Sequence, residues 1–98
     1  LRALHEHGAK IIFVTGRPRK YMNETLQWLQ KYACKPVDGL FMRKDGDHRP
    51  DYFIKKEIYD ECIKPYHHID GVFEDRKQCV DMWRRIGLTC YQVADGNY

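Results

Sequence analysis

Nothing in these 98 residues approaches the run of about 18 apolar residues that a membrane-spanning helix needs, and no signal peptide is recognisable. Cysteine is scarce and badly spaced for metal or disulfide work. The four thiols, Cys34, Cys62, Cys79 and Cys90, form no C-x-x-C pair and sit among apolar residues, as buried thiols of a cytoplasmic protein do. His67-His68 is a poor metal pair, because neighbours in sequence point apart on any regular element, and a surface turn after Pro65 is the better reading. Internal repeats and low-complexity stretches are lacking, and one domain over residues 1–98 is expected. Charge is mildly unbalanced, with 17 basic and 14 acidic residues and a net charge of +3. That balance falls short of a strong nucleic-acid footprint. One further absence matters more. No Asp-x-Asp stands at the end of an apolar strand near the N-terminus.

What is present alternates in type. Leu1–His7 with Gly8 reads as the tail of a helix with a glycine cap, hence as a truncated start. Lys10–Val14 is a short β-branched strand. Pro18 opens a helix whose Met22, Leu26, Leu29 and Ala33 form an apolar stripe, and Cys34-Lys35-Pro36 stops it. Gly39–Met42 is a second strand, followed by a polar loop with the turn Asp45-Gly46-Asp47. Asp51 is a plausible N-cap for a helix through about Ile63, with Ile54, Ile58 and Cys62 stacked. Gly71–Phe73 is a third strand. Arg76–Ile86 is a helix with Val80, Trp83 and Ile86 inward and Gly87 as its cap, and Leu88–Val93 is the last strand. Strands separated by helices imply an α/β fold with a mostly parallel sheet.

In such sheets ligands bind beyond the carboxyl ends of the strands. Thr15-Gly16 follows the first strand, where a hydroxyl and backbone N–H groups suit a phosphoryl oxygen; a simple start to the next helix is the plainer alternative. Glu74-Asp75 closes the third. Asp75 reads either as a helix N-cap, with Gln78 three residues on, or as a hard oxygen ligand for magnesium. Arg76 suits a phosphate clamp. Lys55 and Lys56 sit in the early turns of their helix, against the macrodipole, and either are solvated or neutralise an anion. Arg43 and Arg49 flank a turn. Trp83-Arg84-Arg85 looks like a nucleic-acid patch, although helical spacing puts Trp83 in the core. Tyr21 and Tyr52 are possible base-stacking platforms. Taken together, a hydroxyl, a lysine and an acidic pair in this order are what a phosphate-ester hydrolase arranges around an aspartyl nucleophile, and the nucleophile is missing.

The strings FVTGR (Phe13–Arg17), GDHRPD (Gly46–Asp51) with KKEI (Lys55–Ile58), EDR, WRRIG (Trp83–Gly87) and QVADGNY carry a resemblance. They resemble the haloacid-dehalogenase (HAD) superfamily, and within it the C-terminal 3′-phosphatase domain of bacteriophage T4-type polynucleotide kinase/phosphatase. The resemblance implies a Rossmann-like three-layer sandwich whose central first-motif strand, bearing both catalytic aspartates, lies upstream of Leu1. It implies that Thr15, with Gly16, binds the transferring phosphoryl group and that Lys55 stabilises the aspartyl-phosphate. Asp75 would help hold Mg²⁺, with Glu74 standing where a second Asp is usual. Arg17, Arg43 and Arg76 would surround the phosphate and the nucleic-acid end. The implied reaction is Mg²⁺-dependent removal of a 3′-terminal phosphate from DNA or RNA, with the 98-residue chain inactive alone. A fused 5′-kinase upstream is possible in this family, although no G-x-x-x-x-G-K-S/T occurs here. The alternatives are a HAD phosphatase of small phosphorylated metabolites and a non-catalytic phosphate-binding relative.

Overall fold

The computed structural model describes residues 11–32 and 38–96. The expected helix at Leu1–His7 with Gly8, the start of the first strand at Lys10, and the stop signals Ala33 to Pro36 lie outside the described residues. Two units divide the chain between His48 and Arg49.

In the first unit, strand β1 (Ile12–Pro18) leads through a single 3₁₀ turn (Arg19–Tyr21) into helix α1 (Met22–Tyr32), and strand β2 (Gly39–Arg43) follows. β1 and β2 pair in parallel from Ile12 opposite Gly39 to Thr15 opposite Met42. The next partners are Pro18 and Arg43, so β1 advances three residues while β2 advances one, and Gly16-Arg17 bulge out of the ladder. The first strand is therefore longer than the sequence suggested, and Thr15-Gly16 lies within it. α1 buries Thr25 and Leu29, one turn apart, while Met22 and Leu26 are exposed. The expected stripe is thus rotated. Thr25 makes this possible because its hydroxyl donates to the Tyr21 carbonyl at 2.9 Å, satisfying a buried polar atom inside the helix.

The second unit contains helix α2 (Asp51–Ile58), which runs on through a π-helical turn (Tyr59–Ile63). Strand β3 (Val72–Arg76), helix α3 (Lys77–Arg85) and strand β4 (Cys90–Gly96) complete it. β3 and β4 are parallel, pairing Val72 with Cys90, Phe73 with Tyr91 and Glu74 with Gln92. The wider π turn advances the buried phase, so Ile63 rather than Cys62 is buried below Ile54. Asp51 does not cap α2. Pro50 occupies that place, and Asp51 is the first helical residue. β3 also extends past Phe73 to Arg76, and Arg76 is the N-cap of α3, so Asp75 has no capping role. β4 begins at Cys90, two residues later than expected.

α3 supplies the core of this unit. Cys79, Val80, Met82 and Trp83 are buried with Cys90, and Tyr59, Val72, Ile86 and Leu88 pack around them. Tyr59 meets the Trp83 ring edge-on, at 5.8 Å between centroids and 87° between planes. The helix stops as its sequence dictates. Gly87 takes φ +95°, its N–H reaches the Arg84 carbonyl at 3.1 Å, and the Leu88 N–H reaches that of Trp83 at 3.0 Å. This is a Schellman closure, which needs a left-handed residue at Gly87. The Arg84 guanidinium then bonds the Cys90 carbonyl at 2.9 and 3.3 Å, fixing where β4 starts.

Among the described residues β1 pairs only with β2, and β3 only with β4. Each pair is a parallel ribbon of two strands, the arrangement least able to stand alone without a helix on its face.

Met82 is 2% exposed in the α3 core, whereas Tyr66 is 74% exposed. Met82→Ala in the full-length protein is expected to cost about 2–5 kcal/mol in urea unfolding. Tyr66→Ala is expected to stay within about 0.5 kcal/mol of the parent.

Candidate active site

Two clusters of polar side chains are built by these elements, one in each unit. In the first, the bulge in β1 organises everything. Thr15 Oγ1 accepts the Arg17 backbone N–H at 3.2 Å, the short side-chain turn that threonine favours when the chain must change direction. Its own hydroxyl hydrogen remains a donor. Arg43, at the end of β2, donates from Nε to the Gly16 carbonyl at 2.7 Å and from Nη1 to the Asp47 carbonyl at 2.8 Å. One planar guanidinium thus ties the bulge to the loop after β2. Arg17 donates from Nη1 to Thr25 Oγ1 at 3.2 Å.

In the second unit, Lys55 is 8% exposed, which is rare for a lysine without a partner. Its Nζ lies 3.0 Å from Oε2 of Glu74, whose side chain is 10% exposed. The same oxygen accepts the Trp83 indole N–H at 3.3 Å, and Oε1 accepts the Arg76 backbone N–H at 3.3 Å. Burial pulls the Lys55 pKa down. The Glu74 carboxylate beside it, with smaller contributions from Cys79 and Asp51, outweighs that and leaves the ammonium above its ordinary 10.5. The lysine is charged at any physiological pH. Burial also pushes the neighbouring Cys79 thiol up to about 11, with Lys55 opposing and Glu74 and Asp51 assisting. Cys79 is an inert core residue, not a nucleophile.

Arg76 donates from Nη1 to Asp51 Oδ2 at 2.5 Å. Asp51, whose place at the helix start suggests a cap, is instead a functional candidate through this bond. Its signal was there in the spacing: Asp51 and Lys55 are four apart on one helix, and so share a face. Trp83 is core, as its helical spacing implied, but it also has a polar duty toward Glu74.

The candidate pair of metal ligands separates. Along β3 the side chains alternate, Glu74 inward and Asp75 outward. Glu74 is committed to Lys55, Trp83 and the Arg76 amide, and so does not fit a metal ligand. Asp75 is an exposed carboxylate of the right chemistry, and its carbonyl accepts from Gln92 Nε2 at 3.5 Å. Among the described residues no group of three or more His, Cys, Asp and Glu side chains is placed to hold a metal ion. Of the two acids, Asp75 is the one whose carboxylate is exposed.

The family model described as the polynucleotide kinase PNKP phosphatase domain, a HAD family, matches residues 1–98. The chain belongs to this family. A protein of Autographa californica nuclear polyhedrosis virus assigned as a bifunctional polynucleotide kinase/RNA ligase is 33% identical over 89 residues, spanning 90% of this chain and 13% of the viral protein. Two solved structures of the Pnkp1/Rnl/Hen1 complex, one described as an RNA repair complex, superpose on all of the chain with TM-score 0.94 and 38% identity. The chain covers 32% and 34% of those structures' chains. It spans about a third of the length of the two solved chains and about an eighth of the viral protein. The Rossmann-like α/β fold of HAD phosphatases is thereby established, and the parallel ribbons β1–β2 and β3–β4 are parts of it. HAD phosphatases as a family work with Mg²⁺.

Because Lys55 binds its proton more tightly folded than unfolded, its stabilising contribution is full below pH 10.5 and is lost as pH rises through the raised folded value. Glu74→Gln is expected to lower the Lys55 pKa and to abolish that alkaline loss of stability. Side-chain ammonium NMR, with urea midpoints taken from pH 9 upward, checks both. An unchanged Lys55 titration in Glu74→Gln would remove Glu74 as its partner.

Proposed function

We propose that this chain is the phosphatase part of a polynucleotide end-healing enzyme, which removes the 3′-terminal phosphate from a nucleic-acid strand. One observation carries the reading: a lysine of a HAD phosphatase family member is buried, charged and held by a carboxylate that is itself nearly buried. An ammonium kept there at that desolvation cost serves to meet negative charge. Phosphoryl transfer from ester oxygen to an aspartate spreads charge over three oxygens, and fixed cations and donors lower that barrier.

The roles follow residue by residue. The nucleophile and the proton-transferring acid are two aspartates of an Asp-x-Asp upstream of Leu1, in the same domain as residues 1–98. Attack by the first on phosphorus releases the 3′-hydroxyl, which takes its proton from the second; water activated by the second then hydrolyses the aspartyl-phosphate. Thr15 donates its hydroxyl hydrogen to a phosphoryl oxygen, with the amides of Gly16 and Arg17 beside it. Lys55 neutralises the nucleophilic carboxylate before attack and the phosphoryl group after it. Arg17 and Arg76 contact the anionic end, while Arg43, whose guanidinium bonds two backbone carbonyls, holds the Gly16 bulge in shape. Asp75 would help hold Mg²⁺, which when bound neutralises phosphoryl charge as a Lewis acid. RNA is the favoured polymer, since the relatives include an RNA ligase fusion and members of an RNA repair complex. A 5′-kinase in the same polypeptide is part of the proposal.

The test is phosphate release by the full-length protein from a 3′-phosphorylated oligonucleotide. Release is expected to require Mg²⁺ and to outpace that from a 5′-phosphorylated oligonucleotide or a small phosphate ester. Equal turnover of the small ester would favour a metabolite phosphatase, and no release from any substrate would favour a non-catalytic relative. Lys55→Ala and Asp75→Ala are each expected to cut turnover at least ~10²-fold through lost charge stabilisation. Turnover unchanged in either folded variant would withdraw that residue's role.

A further inference from the structure

We infer that the 3₁₀ turn after β1 is a landing platform for a polynucleotide strand, with Arg19 and Lys20 gripping its phosphodiesters and Tyr21 stacking on a base. This rests on the proposed end-phosphate reading only for the direction in which the strand points; the platform itself rests on the following features.

The run Arg17-Pro18-Arg19-Lys20-Tyr21 concentrates three cations and an aromatic ring in five consecutive residues. Pro18 is extended (φ −63°, ψ 149°) and turns the chain out of β1, after which Arg19–Tyr21 form the turn. Arg17, Arg19, Lys20 and Tyr21 are all exposed. Lys20 Nζ and the Arg17 guanidinium carbon each lie 5.3 Å from the centre of the Tyr21 ring. Both cations lie over the ring, so a phosphate that meets them comes beside an aromatic surface.

The backbone beneath is fixed at both ends. The Lys20 amide donates to Asp45 Oδ1 at 2.8 Å, and the Tyr21 carbonyl accepts the Thr25 hydroxyl at 2.9 Å. Thr25 in turn accepts from Arg17, so the turn is linked to the residue that follows Thr15-Gly16. The turn is thereby braced, and a rigid segment loses little entropy on binding. From Arg17 to Glu24 the chain carries three cations (Arg17, Arg19, Lys20) against one carboxylate (Glu24), and the second carboxylate brought to the turn, Asp45, already receives an amide. Positive charge alternating with an exposed aromatic ring is what a single strand requires: phosphates meet cations, and any base has a face to stack. A small phosphorylated metabolite has nothing to place on such a surface.

The experiment measures binding of an unphosphorylated, fluorescently labelled single-stranded RNA of about eight nucleotides to the full-length protein, by anisotropy over a series of salt concentrations. Arg19→Ala/Lys20→Ala is expected to weaken binding roughly tenfold at low salt and to flatten the slope of log K against log salt by about one to two. Tyr21→Ala is expected to weaken binding about tenfold with the salt slope unchanged, and Tyr21→Phe to bind like the parent. Parental binding and slope in the Arg19/Lys20 variant, or a Tyr21→Phe as weak as Tyr21→Ala, would overturn the platform. Thermal melts verify folding, and the exposed Arg19/Lys20 pair keeps the test decisive should Tyr21→Ala fail to fold. Since no turnover is measured, a protein that binds with these dependences but releases no phosphate keeps the platform and loses the phosphatase reading. A protein that releases 3′-phosphate while its binding ignores these substitutions does the reverse.

Discussion

A charged lysine that has left water must keep an anion beside it. Lys55 and Glu74 satisfy that requirement at 3.0 Å with both side chains nearly buried, and much of the second unit is arranged around them. Glu74 takes its inward direction from the alternation of β3, receives the indole of Trp83 from α3, and holds the amide of Arg76 where strand becomes helix. Thus α2, β3 and α3 each contribute a donor to one carboxylate. Isolated buried pairs bring little net stability, because desolvation cancels their attraction, yet breaking one leaves an uncompensated charge. The pair makes sense less as a stabiliser than as a way to keep an ammonium dry, charged and in one place.

The first unit solves a related problem with backbone rather than charge. A parallel strand that paired perfectly would present only its side chains. The Gly16-Arg17 bulge takes main-chain groups out of the ladder instead, and a bulge must be held. Arg43 does so with two bonds to carbonyls, and Thr15 with a bond to the Arg17 amide. The consequence is a building role for Arg43, an arginine that the resemblance also places around the phosphate.

How much of this was legible beforehand depends on the kind of signal. Element types and order came from β-branched runs and glycine stops, and the Gly87 closure of α3 could be read directly because only a left-handed residue permits it. Strand ends were not legible. Thr15, Gly16, Glu74, Asp75 and Arg76 are polar, so they resembled turns, and only pairing to a neighbouring strand reveals that β1 and β3 continue through them. The burial of α1 was misjudged because Thr25 hides its hydroxyl within the helix, which hydropathy counts as polar. Lys55 and Asp75 stand out as candidates by order and spacing alone. That Glu74 serves Lys55 and not a metal depends on which face of β3 it occupies, and adjacent acids in sequence conceal that.

The account stands on Lys55 and Glu74 acting as one unit. A double-mutant cycle in the full-length protein, with Lys55→Met, Glu74→Gln and both together, measures this by urea unfolding at neutral pH. Each single substitution should lose about 3–5 kcal/mol, and the double substitution clearly less than their sum, because the partner left charged and buried is removed as well. Losses that add to within about 0.5 kcal/mol would contradict it, and would make the lysine a buried charge supported by something other than Glu74.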